Sequence, residues 1–170
     1  VECLNGLADA INVTDGAGAK SHMSALATAA ILAQNGIEPI LQFTTRDRNR
    51  IAIQGDLLGG WALDIPNILC LYGDEVKGGD QPDTKEVRDL DTIGVLRTAH
   101  EIKTKKMYPS GRKINDAPEF FIGGADTPFK VNNDFDGSKL LKKIEAGVEF
   151  FQTQYVFEKD ILKNYMLKLN

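Results

Sequence analysis

The sequence predicts an α/β protein whose strands run parallel in one sheet. Short apolar runs alternate along the chain with longer stretches of helical periodicity, the order that right-handed βαβ units impose. Residues able to do chemistry cluster just after the strands, on the edge where such sheets carry their sites. The length of 170 residues suffices for one domain with a real core, and residues 1–170 are read as a single domain.

The elements follow in order. Ala10 to Thr14 is a candidate strand, and Ser21 to Gln34, rich in alanine and leucine, is a helix with Ser21 as N-cap and Asn35-Gly36 as its stop. Pro39 to Phe43 is the second strand. Arg48 to Leu63 is predicted as a helix with Ile51, Leu58 and Ala62 on its apolar face. Asn67 to Tyr72, the most apolar run, is the third strand and contains Cys70 as a buried residue. A polar loop from Glu75 to Asp89 leads to a helix over Leu90 to Lys105. After Pro118 come a strand over Glu119 to Ile122, a helix over Lys139 to Ala146 stopped by Gly147, a strand over Phe150 to Val156 and a helix over Lys159 to Leu169. Five strands do not close an eight-stranded barrel, so the pattern leaves an open doubly wound sheet and part of a barrel equally open.

Composition narrows the function classes. A net charge of -4 argues against a nucleic-acid partner, which calls for a basic face. The cluster Lys103, Lys105 and Lys106 fits a solvated helix end better than a phosphate track. No apolar stretch reaches membrane-spanning length. Cys3 and Cys70 make neither a disulfide framework nor a zinc spacing. His22 and His100 are isolated and are expected to be ordinary surface or core histidines. The sequon Asn12-Val13-Thr14 falls in a strand. The start at Val1, without an initiator methionine, points to part of a longer protein.

Four segments remain as candidates. Thr14-Asp15-Gly16-Ala17-Gly18-Ala19-Lys20 is glycine-rich ahead of a helix, yet it lacks both the Walker ending and the GxGxxG spacing, so a plain βα loop is the simpler reading. Gly73-Asp74 is a sharp turn that places a carboxylate at the sheet mouth. Arg46-Asp47-Arg48-Asn49-Arg50 alternates charge and is expected to be a capped, solvated helix start. Gln154, in an apolar and aromatic strand, calls for a partner for its amide.

These pieces together resemble the methylenetetrahydrofolate reductases. The resemblance is carried by Val13 to Gly16, the run from Gly36 to Arg50, Asp56 to Gly59, Leu71 to Asp74, Val87 to Asp91 and the segments Lys143 to Gly147 and Gln152 to Gln154, all in the family's order. It implies a parallel TIM (β/α)8 barrel carrying FAD, present here as a partial barrel of about five βα units, its second to sixth strands. The first strand, with the family's general-acid glutamate, and the last two are expected to lie outside this sequence.

The resemblance places the family's aspartate beside flavin and folate on Asp74, and its substrate-binding glutamine on Gln154. Flavin contacts fall on Thr14, Gln42, Tyr72, Gly73, Asp89, Asp136 and Lys143, with Lys142 as a weaker match. Lys142 and Lys143 are neighbours on a helix, so one of the two is expected to reach the cofactor. Departures also stand out: well-studied members carry histidine at Gln42, arginine at Tyr72, and a tyrosine and a histidine where this chain has Gly123 and Thr127. The implied activity is hydride transfer from reduced FAD to 5,10-methylenetetrahydrofolate in methionine biosynthesis. The implied setting is cytoplasmic, with NADH, NADPH, ferredoxin or a partner subunit as electron source and room for a homo-oligomer. Two rivals share the fold: a flavin-free pterin-binding methyltransferase, and a non-catalytic folate- or flavin-binding subunit.

Overall fold

The computed structural model describes residues 6–129, 131 and 135–169; Cys3 and the start of the chain lie outside them. Five strands pair in parallel: β1 (Ile11–Val13), β2 (Pro39–Thr44), β3 (Asn67–Leu71), β4 (Phe121–Asp126) and β5 (Phe150–Thr153). Their spatial order is the order of the chain. A doubly wound sheet reverses its strand order at a switch point, which sends helices to both faces. Here the order never reverses, so right-handed crossovers leave the connecting helices on one face.

The helices α1 (Ala25–Gln34), α2 (Arg50–Ala62), α3 (Thr92–Lys105) and α4 (Ser138–Glu145) accordingly each touch the next, and α5 (Lys159–Leu169) follows β5. The architecture is a curled half-barrel, a partial (β/α)8 barrel. No helix among the described residues is long and apolar enough to cross a membrane.

Strand side chains alternate between faces, and the register sorts them. Val13, Leu41, Ile68 and Ile122 form one row, and Phe43, Cys70, Gly124 and Phe151 another. Both rows pack into the core with Ile53, Leu57, Val95, Leu96 and Ile102 from the helices. Cys70 is fully buried there, as expected, and burial pushes its thiol up to about 12. Asn12, Gln42, Thr44, Leu69, Leu71, Ala125 and Gln152 occupy the opposite, concave face.

Local differences from the sequence-based expectation have physical causes. The cap of α1 is Ser24, whose Oγ accepts from Ala27 N, because Ser21 is drawn away to donate its N–H to Asp80. The buried face of α2 is Ile53, Leu57 and Gly60; Ile51, expected inside, is 78% exposed. That buried set keeps helical spacing, but its third member is a glycine that hydropathy overlooks.

β4 runs on through Gly123-Gly124-Ala125-Asp126, where the sequence pointed to an end at Ile122. A Cβ on Gly123 would sit 2.3 Å from the Phe150 ring, so the glycine is what lets that ring lie across the strand. β5 stops at Thr153, which leaves Gln154 and Val156 beyond it.

The amino-terminal rim is tied by a clasp. Lys103 Nζ donates to both oxygens of Glu149 at 2.7 and 2.9 Å and to Phe120 O, while Glu149 also accepts from Ile122 N. Lys103 is therefore a structural cation and Lys105 pairs with Glu101, consistent with a helix end and not a phosphate track. Gly123→Ala is expected to destabilise the protein by about 1–3 kcal/mol, as over-packing does. The Phe150 ring is held by stacking on Phe121 at 4.8 Å, and urea denaturation checks the loss.

Candidate active site

The carboxyl rim is built around arginines. Asp15, just after β1, accepts at Oδ2 from Thr44 N and Oγ1 at 2.9 and 2.8 Å and from Arg48 Nη1 at 2.6 Å. Arg48 also donates from Nε to Asp56 at 2.9 Å and lies over the Phe43 ring. Arg46 is 4% exposed. Its Nε and Nη2 fork onto Asp47, and its Nη1 donates to the carbonyls of Gly16 and Asp74 at 3.2 and 3.3 Å. Arg46 and Arg48 thus depart from the expected solvated helix start, while Asp47 and Arg50 are exposed and Asn49, which accepts from Ile51 N and Ala52 N, is the cap, as expected. Residue type alone hid this, because a charge run carries no sign of what its members face.

A third arginine, Arg88, closes the loop after β3. Its guanidinium stacks 3.7 Å from the Tyr72 ring centroid and donates to the carbonyls of Tyr72 and Gly73 at 2.8 and 3.3 Å. Gly73 has φ +85°, and a Cβ there would press on Thr44 and Arg46 at 3.0–3.3 Å, so only glycine makes this turn without strain. Asp74 emerges from it exposed, with Oδ2 accepting from Gly18 N at 2.7 Å.

Three clefts run along this rim. The first, of about 510 Å³, is lined by Thr14, Gln42, Tyr72, Gly73, Asp74 and Gln154, all singled out from the sequence, together with Asn12, Thr44, Gln152 and Tyr155. Gln154 lies past the strand and is exposed; its main-chain N–H bonds Asp126 O, and the residue lines the cleft instead of being buried in β5.

The second cleft, of about 580 Å³, shares Leu71, Tyr72 and Ala125 with the first and adds Lys139, Lys142 and Lys143. Lys142 is exposed, whereas Lys143 is half-buried and donates to Ala125 O; burial lowers its pKa while Asp126 opposes the shift. The third, of about 270 Å³, continues through Asp126, Phe129 and Lys139 to Asp136, Phe135 and Tyr165. The Asp136 carboxylate is held below its ordinary value by the Ser138 N–H that it accepts at the start of α4. Burial and a bond to Asp126 push the Tyr165 phenol up to about 12.

Asp89 stands apart from all three clefts. It forks with Arg50 at 2.7 and 2.8 Å and accepts from Arg50 N, tying the loop to the start of α2. Asn12 and Gln152 were missed from the sequence; their place on the concave face, opposite the core rows, is the signal that marks them. The Asn12 Oδ1 is buried and, among the described residues, has no hydrogen-bond partner.

The donor set suits an elongated ligand with a flat heterocycle at one end and an anionic middle. Side-chain amides, each both donor and acceptor, ring the first cleft, and lysines line the second.

The ion pairs lead to two predictions. Asp15→Ala leaves Thr44 N and Oγ1 without their acceptor and Arg48 with Asp56 alone, and is expected to cost about 3 kcal/mol. Asp56→Ala removes a carboxylate more than a third exposed and is expected to cost about 1 kcal/mol or less; urea unfolding compares them. Arg88, with Val76 N, holds Glu86 down to about 2, and Arg50, through side chain and backbone N–H, holds Asp89 down to about 2. Groups depressed in the folded state stabilise it above the ordinary carboxylate range, and that contribution is lost as pH falls towards about 2. Urea midpoints taken across that window are expected to fall, and Asp89→Asn to flatten the fall.

A comparison with curated proteins finds no match. The family model described as methylenetetrahydrofolate reductase matches residues 3–170, nearly the whole chain. The curled parallel half-barrel agrees with that match, and the chain belongs to the methylenetetrahydrofolate reductase family, oxidoreductases of folate one-carbon metabolism.

Proposed function

We propose that the protein reduces 5,10-methylenetetrahydrofolate to 5-methyltetrahydrofolate, with FAD as its cofactor. The observation that carries this is the unbroken run of three clefts on one rim, which gathers every cofactor and substrate residue implied by the resemblance except Asp89. The first cleft would hold the ring system through Thr14, Gln42 and the Tyr72-Gly73 turn. Lys143, with Lys142 beside it, would face the pyrophosphate, and Asp136 would lie towards the nucleoside end. Reduced FAD supplies a hydride when bound.

The chain's own groups do the rest. Asp74 presents a negative charge in the cleft, with one carboxylate oxygen held by Gly18 N and the other free of any hydrogen bond among the described residues. That charge favours the opened, cationic iminium form of the substrate over the closed ring. It also opposes a build-up of negative charge on a heterocycle beside it. Both effects strengthen as ligand displaces water. Gln154 offers its Nε2 as donor and Oε1 as acceptor to the pterin edge. Tyr72, half exposed between the first two clefts, supplies a flat wall fixed by Arg88.

Asp74→Asn is expected to lower folate reduction by about tenfold or more, equivalent to about 1.4 kcal/mol in the barrier. Gln154→Ala is expected to raise the folate KM with a smaller change in kcat. Titration of the purified protein with FAD, followed by quenching of flavin fluorescence, tests the cofactor directly. Absence of binding, with folate still bound, would favour the flavin-free methyl-transfer reading instead.

A further inference from the structure

Arg46 lines none of the three clefts, yet it donates to the main chain of Asp74, whose carbonyl also accepts from Arg88 Nη2 at 3.5 Å. The Arg46 Nη1 sits between two carbonyl oxygens, Gly16 from the loop after β1 and Asp74 from the loop after β3. Two carbonyls repel each other; a shared guanidinium N–H draws both loops onto one point. With the loops so joined, Gly18 N is 2.7 Å from Asp74 Oδ2. The other edge of the guanidinium, Nε and Nη2, is committed to Asp47 at 2.8 and 2.7 Å. The cation therefore has its counter-ion next door and grips Asp74 by the main chain, leaving the Asp74 carboxylate outside its salt bridge. Only a planar fork divides its donors in this way; an ammonium does not.

We infer that Arg46 is a positioning residue: it sets the orientation of the Asp74 carboxylate in the cleft while leaving its charge unpaired. This rests on the reading of Asp74 as the group that acts on the folate. Arg46→Lys keeps the charge and loses the fork. Arg46→Met combined with Asp47→Asn removes cation and counter-ion together, so neither is left without the other.

The first readout is the Gly18 amide proton, followed by NMR in the protein without added ligand. Its reference is Asp74→Ala, in which the bond is gone. Both Arg46 variants are expected to move that proton upfield by at least half of the reference shift. The second readout is steady-state kinetics, where kcat is expected to fall about tenfold with the folate KM nearly unchanged. A Gly18 proton that stays in place in the folded variants overturns the inference. So does a proton that moves with kcat and KM both unaltered while Asp74→Asn slows turnover. Failure of the double variant to fold counts against it as well, since Arg46 would then belong to the fold and not to the orientation of one side chain. If Asp74→Asn leaves turnover intact, the role proposed for Asp74 fails, while the Gly18 proton still reports whether Arg46 places the carboxylate.

Discussion

The structure turns on how a parallel sheet finishes its carboxyl edge. Carbonyls at that edge and in the loops beyond it need donors, and a buried oxygen left without one costs free energy. This chain supplies the donors from arginines: Arg46 to Gly16 and Asp74, Arg88 to Tyr72 and Gly73, each with an acidic neighbour in Asp47 or Glu86. Arg48, paired with Asp15 and Asp56, fixes the first loop to the second. The rim is thereby a lattice of planar cations between loops. The first cleft opens beside this lattice, which holds Tyr72, Gly73 and Asp74 of its lining by their carbonyls.

Much of the fold was legible in the sequence for a simple reason. Strands buried under helices are short and apolar, and helices here are longer and periodic, so the alternation survives in the letters. The choice between an open sheet and a partial barrel was not legible in the hydropathy pattern, since it rests on strand order; the resemblance to the reductases pointed to the partial barrel, and the strand order bears it out. β4 was truncated because Gly123 and Gly124 weaken any strand signal, although the absence of a Cβ at Gly123 is what admits the Phe150 ring. The buried face of α2 was misplaced because Gly60 stands where an apolar side chain would have announced it.

For the site, the rim loops were found because chemistry-bearing residues follow strands directly. Gly73-Asp74 and Thr14 sit where that rule puts them. The arginines were misjudged: at sequence level a run such as Arg46-Asp47-Arg48 is indistinguishable from a solvated face, and burial alone tells them apart. Gln154 was singled out as a strand residue in need of a partner and, through the resemblance, as a folate contact; β5 ends one residue before it, and it lines the first cleft instead of lying in the strand. Asn12 and Gln152 needed the register before their face was known.

The clasp of Lys103 on Glu149 and Phe120 O lies at the strand ends remote from the clefts. Cohesion at this end of the sheet thus draws on residues that line none of the three clefts. A lineage can rework the loops that meet the ligand while the opposite end of the sheet keeps its hold on β4 and β5. A change at exposed Gln154 leaves that hold untouched, whereas a change at Tyr72 also acts on the ring that Arg88 covers.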